Sequence, residues 1–125
     1  MNLKQEAEQF LKERYGMSDF NSYQRSAAGT AIYPDQHKIT YPALGMAGEA
    51  GEVANKVKKL IRDGPDNRPD TWREDIASEI GDVLWYCAAL ASDLNLSLGM
   101  IAAQNLIKLD KRKDKGTLGG SGDTR

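Results

Sequence analysis

Apolar residues recur at helical spacing over residues 2–15, 19–32, 41–62, 72–94 and 97–113, and no stretch alternates long enough to propose a strand. The pattern predicts an all-α fold, a helical bundle of four to five helices. The punctuation agrees. Gly16 follows the first segment, Tyr41-Pro42 puts a proline in a first turn, and Asp63-Gly-Pro65 closes the third segment. Thr71-Trp-Arg-Glu74 has the residues of a capping box. Ala31 to Lys38, with Pro34 and His37, reads as a loop. There is no internal repeat, so residues 1–115 are expected to form a single domain, followed by a flexible glycine-rich tail, 116–125.

The faces of two of these helices carry more information. On 72–94, Ile76, Ile80, Val83, Cys87, Leu90 and Leu94 form one apolar stripe, and Glu79 projects within about 20° of Leu90 on a helical wheel. No charged residue occurs from Val83 to Ser92, and Trp85 and Ala89 lie opposite the stripe, so the helix is apolar almost all round. Such a helix is central or shared with a second subunit, and a homodimer or homotetramer is expected. On 41–62 the stripe is Leu44, Ala47, Ala50, Val53, Val57, Leu60 and Ile61; Glu49 borders it, and Glu52, Lys56 and Lys59 lie farther round. Gly45, Gly48 and Gly51 each cost about 1 kcal/mol relative to alanine in a helix interior, yet together they form a strip without side chains beside the acids. Either a neighbouring helix or a ligand approaches that strip.

Charge and composition narrow the classes. A net charge of -1 and a pI near 5.8 give no polyanion signature, and no basic stripe interleaved with aromatics suggests a nucleic-acid groove. The first residues, Met-Asn-Leu-Lys-Gln-Glu, are charged and amphipathic, and no run approaches 18 apolar residues; a soluble, cytoplasmic protein without a membrane partner is expected. The lone Cys87 sits in an apolar run and reads as a core residue, and His37 as a surface loop residue.

Two pairs of carboxylates then stand out: Glu49 and Glu52 on one helix, Glu79 and Asp82 on another. At i, i+3 spacing the members of each pair lie about 60° apart on one face, so packing the two helices together converges four acids. Burying that charge beside an apolar helix requires cations. For Glu52 the alternative is a solvated face with an ion pair to Lys56. An all-oxygen site favours Mg²⁺, Mn²⁺ or Ca²⁺, and a di-iron bundle would want Glu-x-x-His pairs that this chain, with one histidine, lacks. Mg²⁺, with Mn²⁺ as an alternative, points to phosphate chemistry, and Lys56 and Lys59 one turn from the acids are placed to meet phosphate charge.

Leu44-Gly-Met-Ala-Gly-Glu-Ala-Gly-Glu-Val-Ala-Asn-Lys-Val-Lys-Lys59, followed after Glu52 by 26 residues and then Glu79-Ile-Gly-Asp-Val-Leu-Trp-Tyr86, resembles the MazG-like nucleotide pyrophosphohydrolases, whose signature is E-E-x-x-E then E-x-x-D on two helices. The resemblance spans about residues 41–113, and the tail Gly-Ser-Gly-Asp-Thr-Arg is similar to that of small members of the group. It implies metal ligation by Glu49, Glu52, Glu79 and Asp82, and hydrolysis of a nucleoside triphosphate between the α and β phosphates to a monophosphate and pyrophosphate. A carboxylate, Glu49 or Glu52, would serve as catalytic base. The first signature acid is Gly48 here, which touches a water-positioning role more than the ligand set. Substrate contacts are expected from Lys56, Lys59 and Tyr86 and, in the last helix, from Asn105, Lys108, Lys111 and Arg112, for which the alternative is a solvated basic turn complementing the helix dipole. Tyr86 reads equally as an interface aromatic. Tyr23, Gln24 and Trp72 are candidates to contact the base. A non-catalytic helical module that binds nucleotide is the rival function, and a purely structural dimerisation bundle a third.

Overall fold

A computed structural model of the chain describes Asn2, Gln5, Glu6, Gln9 and residues 19–125. The expected first helix, 2–15, and its stop at Gly16 therefore fall largely outside the described residues. Among those described there are four α-helices and no strand: α1 (Phe20–Ala28), α2 (Thr40–Asp63), α3 (Trp72–Asp93) and α4 (Leu98–Asp114), with single 3-10 turns at Asp35–His37 and Pro65–Asn67.

Local chemistry sets most boundaries. Asp19 caps α1 by accepting the Ser22 N–H at 2.7 Å, and that bond holds its carboxyl below the usual range. The helix ends sooner than periodicity suggests, because the Thr30 hydroxyl turns back to the Ala27 carbonyl (2.9 Å) and accepts the Trp85 indole N–H (2.8 Å). The following loop is anchored by Asp93, whose Oδ2 accepts the Tyr33 hydroxyl (2.8 Å) and the Ile39 N–H (2.9 Å). Burial, reinforced by this bond, pushes the Tyr33 phenol up to about 12. Ile39 sits at φ 68, a costly conformation for a β-branched residue, and the Asp93 bond helps hold it there.

Pro42 lies buried in the first turn of α2, and Gly64, at φ 77, stops that helix with its N–H on the Leu60 carbonyl. Thr71 precedes α3 without completing the expected capping box: its hydroxyl donates to Asp75 Oδ2 at 3.0 Å instead of accepting a backbone N–H. Ser97 does cap α4, accepting the Met100 N–H.

Helix α3 is central, packing on α2, α1 and α4. Its buried residues are small, Ala88, Ala89 and Ala91; Ala88 joins Ala27 and Leu98 in a core against which Tyr23, Trp85 and Cys87 pack. Cys87 is thus half-buried at the edge of the core, its thiol donating to Met46 Sδ and pushed up by burial. Gln24 fastens the α3–α4 connection: its amide donates to Ser92 Oγ and the Leu96 carbonyl and accepts the Leu98 N–H. The large residues of the two stripes are not used up in one chain, for Leu44 is 69 % exposed, Ile61 79 % and Ile80 56 %. No single described helix is long and apolar enough to cross a membrane.

The tail folds back on α4. The buried Arg112 guanidinium donates to the Asp123 carbonyl at 3.0 Å, and Arg125 Nε to the carbonyls of Gly119 (2.9 Å) and Thr117 (3.3 Å). Gly116, Gly120 and Gly122 take the positive φ that this return path needs.

Candidate metal centre

Helices α2 and α3 form an antiparallel hairpin in which Gly45 faces Tyr86 and Lys56 faces Glu79. That register brings Glu49 to the pair on α3. One carboxylate oxygen each from Glu49, Glu79 and Asp82 lies within 4.8 Å of the others; the first two acids are half-buried and Asp82 is exposed. A hydrogen bond to Glu79, then burial and the field of Glu79, Asp82 and Glu52, raises the Glu49 carboxyl above its ordinary value. Glu79 moves the other way, because Lys56 Nζ stands 2.9 Å from its Oε1 and Glu49 hydrogen-bonds to it. Of this pair, Glu49 is therefore the first to take up a proton as pH falls, and Glu79 the one that holds its charge longer.

The sequence expected a cation beside Glu79, and within the chain that cation is Lys56. Its ammonium also donates to the Asp75 carbonyl at 3.1 Å, and its own pKa is raised, chiefly by Glu79. The pairing of Lys56 with Glu52 one turn away does not form; the hairpin partner wins because Glu79 is only 15 % exposed and its charge is the more poorly hydrated. With Lys56 as its partner, Glu79 is equally compatible with a purely structural bundle.

Three hard oxygen donors converging without imidazole or thiolate suit Mg²⁺ or Mn²⁺. A divalent cation there would displace the Lys56 ammonium and, at low pH, a proton on Glu49, so its binding is linked to pH. Because the Glu49 pKa is raised, the competing proton is held below that raised value and absent above it. The Mg²⁺-induced rise in melting temperature is accordingly expected to be full near pH 8 and to shrink as pH falls toward the Glu49 range, as thermal melts at several pH values would show.

The other expected site residues divide. Glu52 is exposed and stands outside the three-acid group, contributing to the field at Glu49 and at Lys56. Tyr86 lies at the centre: with Glu49, Asp82 and Trp85 it lines an open pocket, and its ring is set against Tyr41 (centroids 6.2 Å) and Trp85 (5.1 Å). Burial, and then Tyr41, raises its phenol. The glycine strip serves two purposes. A Cβ on Gly45 would collide with the Tyr86 ring, whereas Gly48 and Gly51 face open space among the described residues. Gly48→Ala is therefore expected to stabilise the chain by about 1 kcal/mol, readable as a higher melting temperature.

Lys59 is exposed at a neighbouring cleft that Lys56 also lines. Asn105, Lys108, Lys111 and Arg112 are not brought to the acids within one chain. Asn105 is exposed; Lys108 lies 3.8 Å from Asp123, and the 6 % exposed Arg112 holds the tail. Lys108, Lys111 and Arg112 line a separate pocket sharing no residue with that of Glu49 and Asp82. Of the base candidates, Gln24 is fully engaged in the α3–α4 connection and Tyr23 packs on the core. Trp72 has guanidinium groups 4.8 and 5.2 Å from its ring, from Arg68 and Arg73. Sequence reasoning missed Trp85 as a pocket wall, since nothing distinguishes it from a core aromatic until the hairpin register is known.

Comparison with known proteins meets this geometry. Residues 37–117 match the MazG nucleotide pyrophosphohydrolase domain. The chain belongs to that family. The matched stretch contains the whole α2–α3 hairpin, so the three gathered acids lie inside the MazG domain. The chain is also 45 % identical over 109 residues to the Gene 37 protein of Mycobacterium phage L5, covering 82 % of this chain and 96 % of that one. No solved structure matches it.

Proposed function

We propose that the chain is a Mg²⁺-dependent nucleoside triphosphate pyrophosphohydrolase, cleaving between the α and β phosphates to release a nucleoside monophosphate and pyrophosphate. The observation that carries this is the convergence of Glu49, Glu79 and Asp82 on the hairpin of a MazG domain. These residues would hold the cation, with Mn²⁺ as a substitute. When bound, it neutralises phosphate charge and acidifies a water. Glu52, one turn along α2 and without an ion pair among the described residues, is placed to complete the ligand set or, like Glu49, to accept a proton from the attacking water. Lys56, released from Glu79, and Lys59 face the phosphates, and Tyr86 contacts the nucleoside from the pocket wall.

The working form is a homodimer or homotetramer in the cytoplasm. Exposed Leu44, Ile61 and Ile80 supply an apolar surface for a second copy. Asn105 and Lys108 of α4, both exposed, would then meet the phosphates across the subunit boundary, while Arg112 stays engaged with its own tail. A panel of ribo- and deoxynucleoside triphosphates with Mg²⁺ or Mn²⁺ and pyrophosphate detection tests the activity. Turnover of at least one substrate is expected, and none across the panel contradicts it. One observation favours a nucleotide-binding module without catalysis: Gly48 stands where the first signature acid belongs. Such a module would melt at higher temperature with nucleotide yet release no pyrophosphate.

A further inference from the structure

Between the end of α2 and the start of α3 lies a cleft of about 190 Å³, lined by Lys56, Lys59, Asp63, Arg68, Trp72 and Asp75 among others. It adjoins the acids through Lys56, whose ammonium is 2.9 Å from Glu79. Lys59 stands about 4.5 Å farther along the axis of α2, and Arg68 follows in the connecting loop. The cations thus step away from the metal centre in one direction, while Tyr86 lies in the other.

With Lys56 engaged by Glu79 and Asp63 by Arg62, the cleft keeps Lys59 and Arg68 against the single charge of Asp75. Asp63 is gripped by Arg62, through Nε at 2.7 Å and Nη2 at 3.0 Å, and Asp75 accepts the Thr71 hydroxyl. Lys59 adds to the field at Asp63 without forming an ion pair, and Arg68 has none either among the described residues. The Trp72 ring has the Arg68 guanidinium 4.8 Å from its centroid and that of Arg73 at 5.2 Å. A ring occupied in this way holds an arginine in place and is poorly disposed to stack a base. The planar donor fork it holds at the cleft suits phosphate oxygens.

We propose that this cleft receives the polyphosphate arm of the substrate, the β and γ phosphates that leave as pyrophosphate, with Arg68 a phosphate-binding residue and Trp72 a positioning residue that holds it. The proposal rests on the triphosphate reading above and gives the substrate a direction: nucleoside toward Tyr86, phosphates toward the α2–α3 connection.

Titration of the full chain with inorganic pyrophosphate in Mg²⁺, followed by calorimetry, tests it. Arg68→Ala is expected to weaken pyrophosphate binding about tenfold, the scale of one charge-assisted hydrogen bond, and to raise KM for the triphosphate similarly. Nucleoside monophosphate affinity should stay unchanged, and Arg68→Lys should recover part of the loss. Arg73→Ala removes an equal charge from the same ring but does not line the cleft, and should leave pyrophosphate affinity within about twofold. Unchanged pyrophosphate affinity in Arg68→Ala, or an equal loss in Arg73→Ala, overturns the assignment. If no triphosphate is hydrolysed yet pyrophosphate binding depends on Arg68, the cleft stands and the hydrolysis reading fails. Normal turnover with Arg68-independent pyrophosphate binding sinks the cleft alone.

Discussion

Glu79→Gln is expected to remove turnover while leaving the helices intact. The substitution keeps shape and hydrogen-bonding capacity but deletes the carboxylate of the three-acid group that Lys56 keeps charged. A metal supplies several kcal/mol of transition-state charge stabilisation, so losing a ligand with that charge should lower kcat/KM by roughly 10³-fold or more. The fold has little reason to follow, because Lys56 is 34 % exposed, can turn to solvent, and retains its bond to the Asp75 carbonyl. Steady-state kinetics beside far-ultraviolet circular dichroism checks both halves. Turnover within tenfold of wild type, with unchanged helicity, contradicts the ligand assignment.

Gly45→Ala should destabilise, against the direction of helix propensity. Propensity alone favours alanine by about 1 kcal/mol in a helix interior. The new methyl group, however, lands on the Tyr86 ring, and that ring is boxed between Tyr41 and Trp85, so it cannot swing aside freely. Overpacking of this kind costs about 1–3 kcal/mol, and the net loss should be about 1 kcal/mol or more. Tyr86 also walls the pocket of Glu49 and Asp82, so KM for the triphosphate should rise with the fall in melting temperature. Gly48→Ala, one turn along the same helix, has the opposite expected sign. Melting the two variants beside wild type shows whether the strip is divided as described; a Gly45→Ala chain as stable as wild type would contradict the close seating of Tyr86.

Much of this architecture was legible before any coordinates, because its signals are local. Periodicity located the four described helices, Pro42 and Gly64 bounded α2 from within its own sequence, and i, i+3 spacing selected the acids. What escaped depends on residues brought together by the hairpin register or by tertiary contacts. Lys56 reads locally as a partner for Glu52, and only the α2–α3 register shows that it belongs to Glu79. Trp85 and Thr30 are 55 residues apart, yet their bond helps decide where α1 stops. Arg112 reads locally as either a phosphate-binding group or part of a solvated basic turn, whereas the tail carbonyls that bury it lie ten and eleven residues away, in a loop shaped by positive-φ glycines. Gly45, Gly48 and Gly51 formed one strip on the wheel and separate only when Tyr86 is placed.

The claim on which the rest depends is that Glu49, Glu79 and Asp82 together hold a divalent cation. Titration with Mn²⁺, read by electron paramagnetic resonance of the free ion, tests it without reference to any substrate. The account predicts a binding site in the wild-type chain that weakens at least tenfold, or about 1.4 kcal/mol, in each of Glu49→Gln, Glu79→Gln and Asp82→Asn. Equal Mn²⁺ affinity in wild type and all three variants would contradict it.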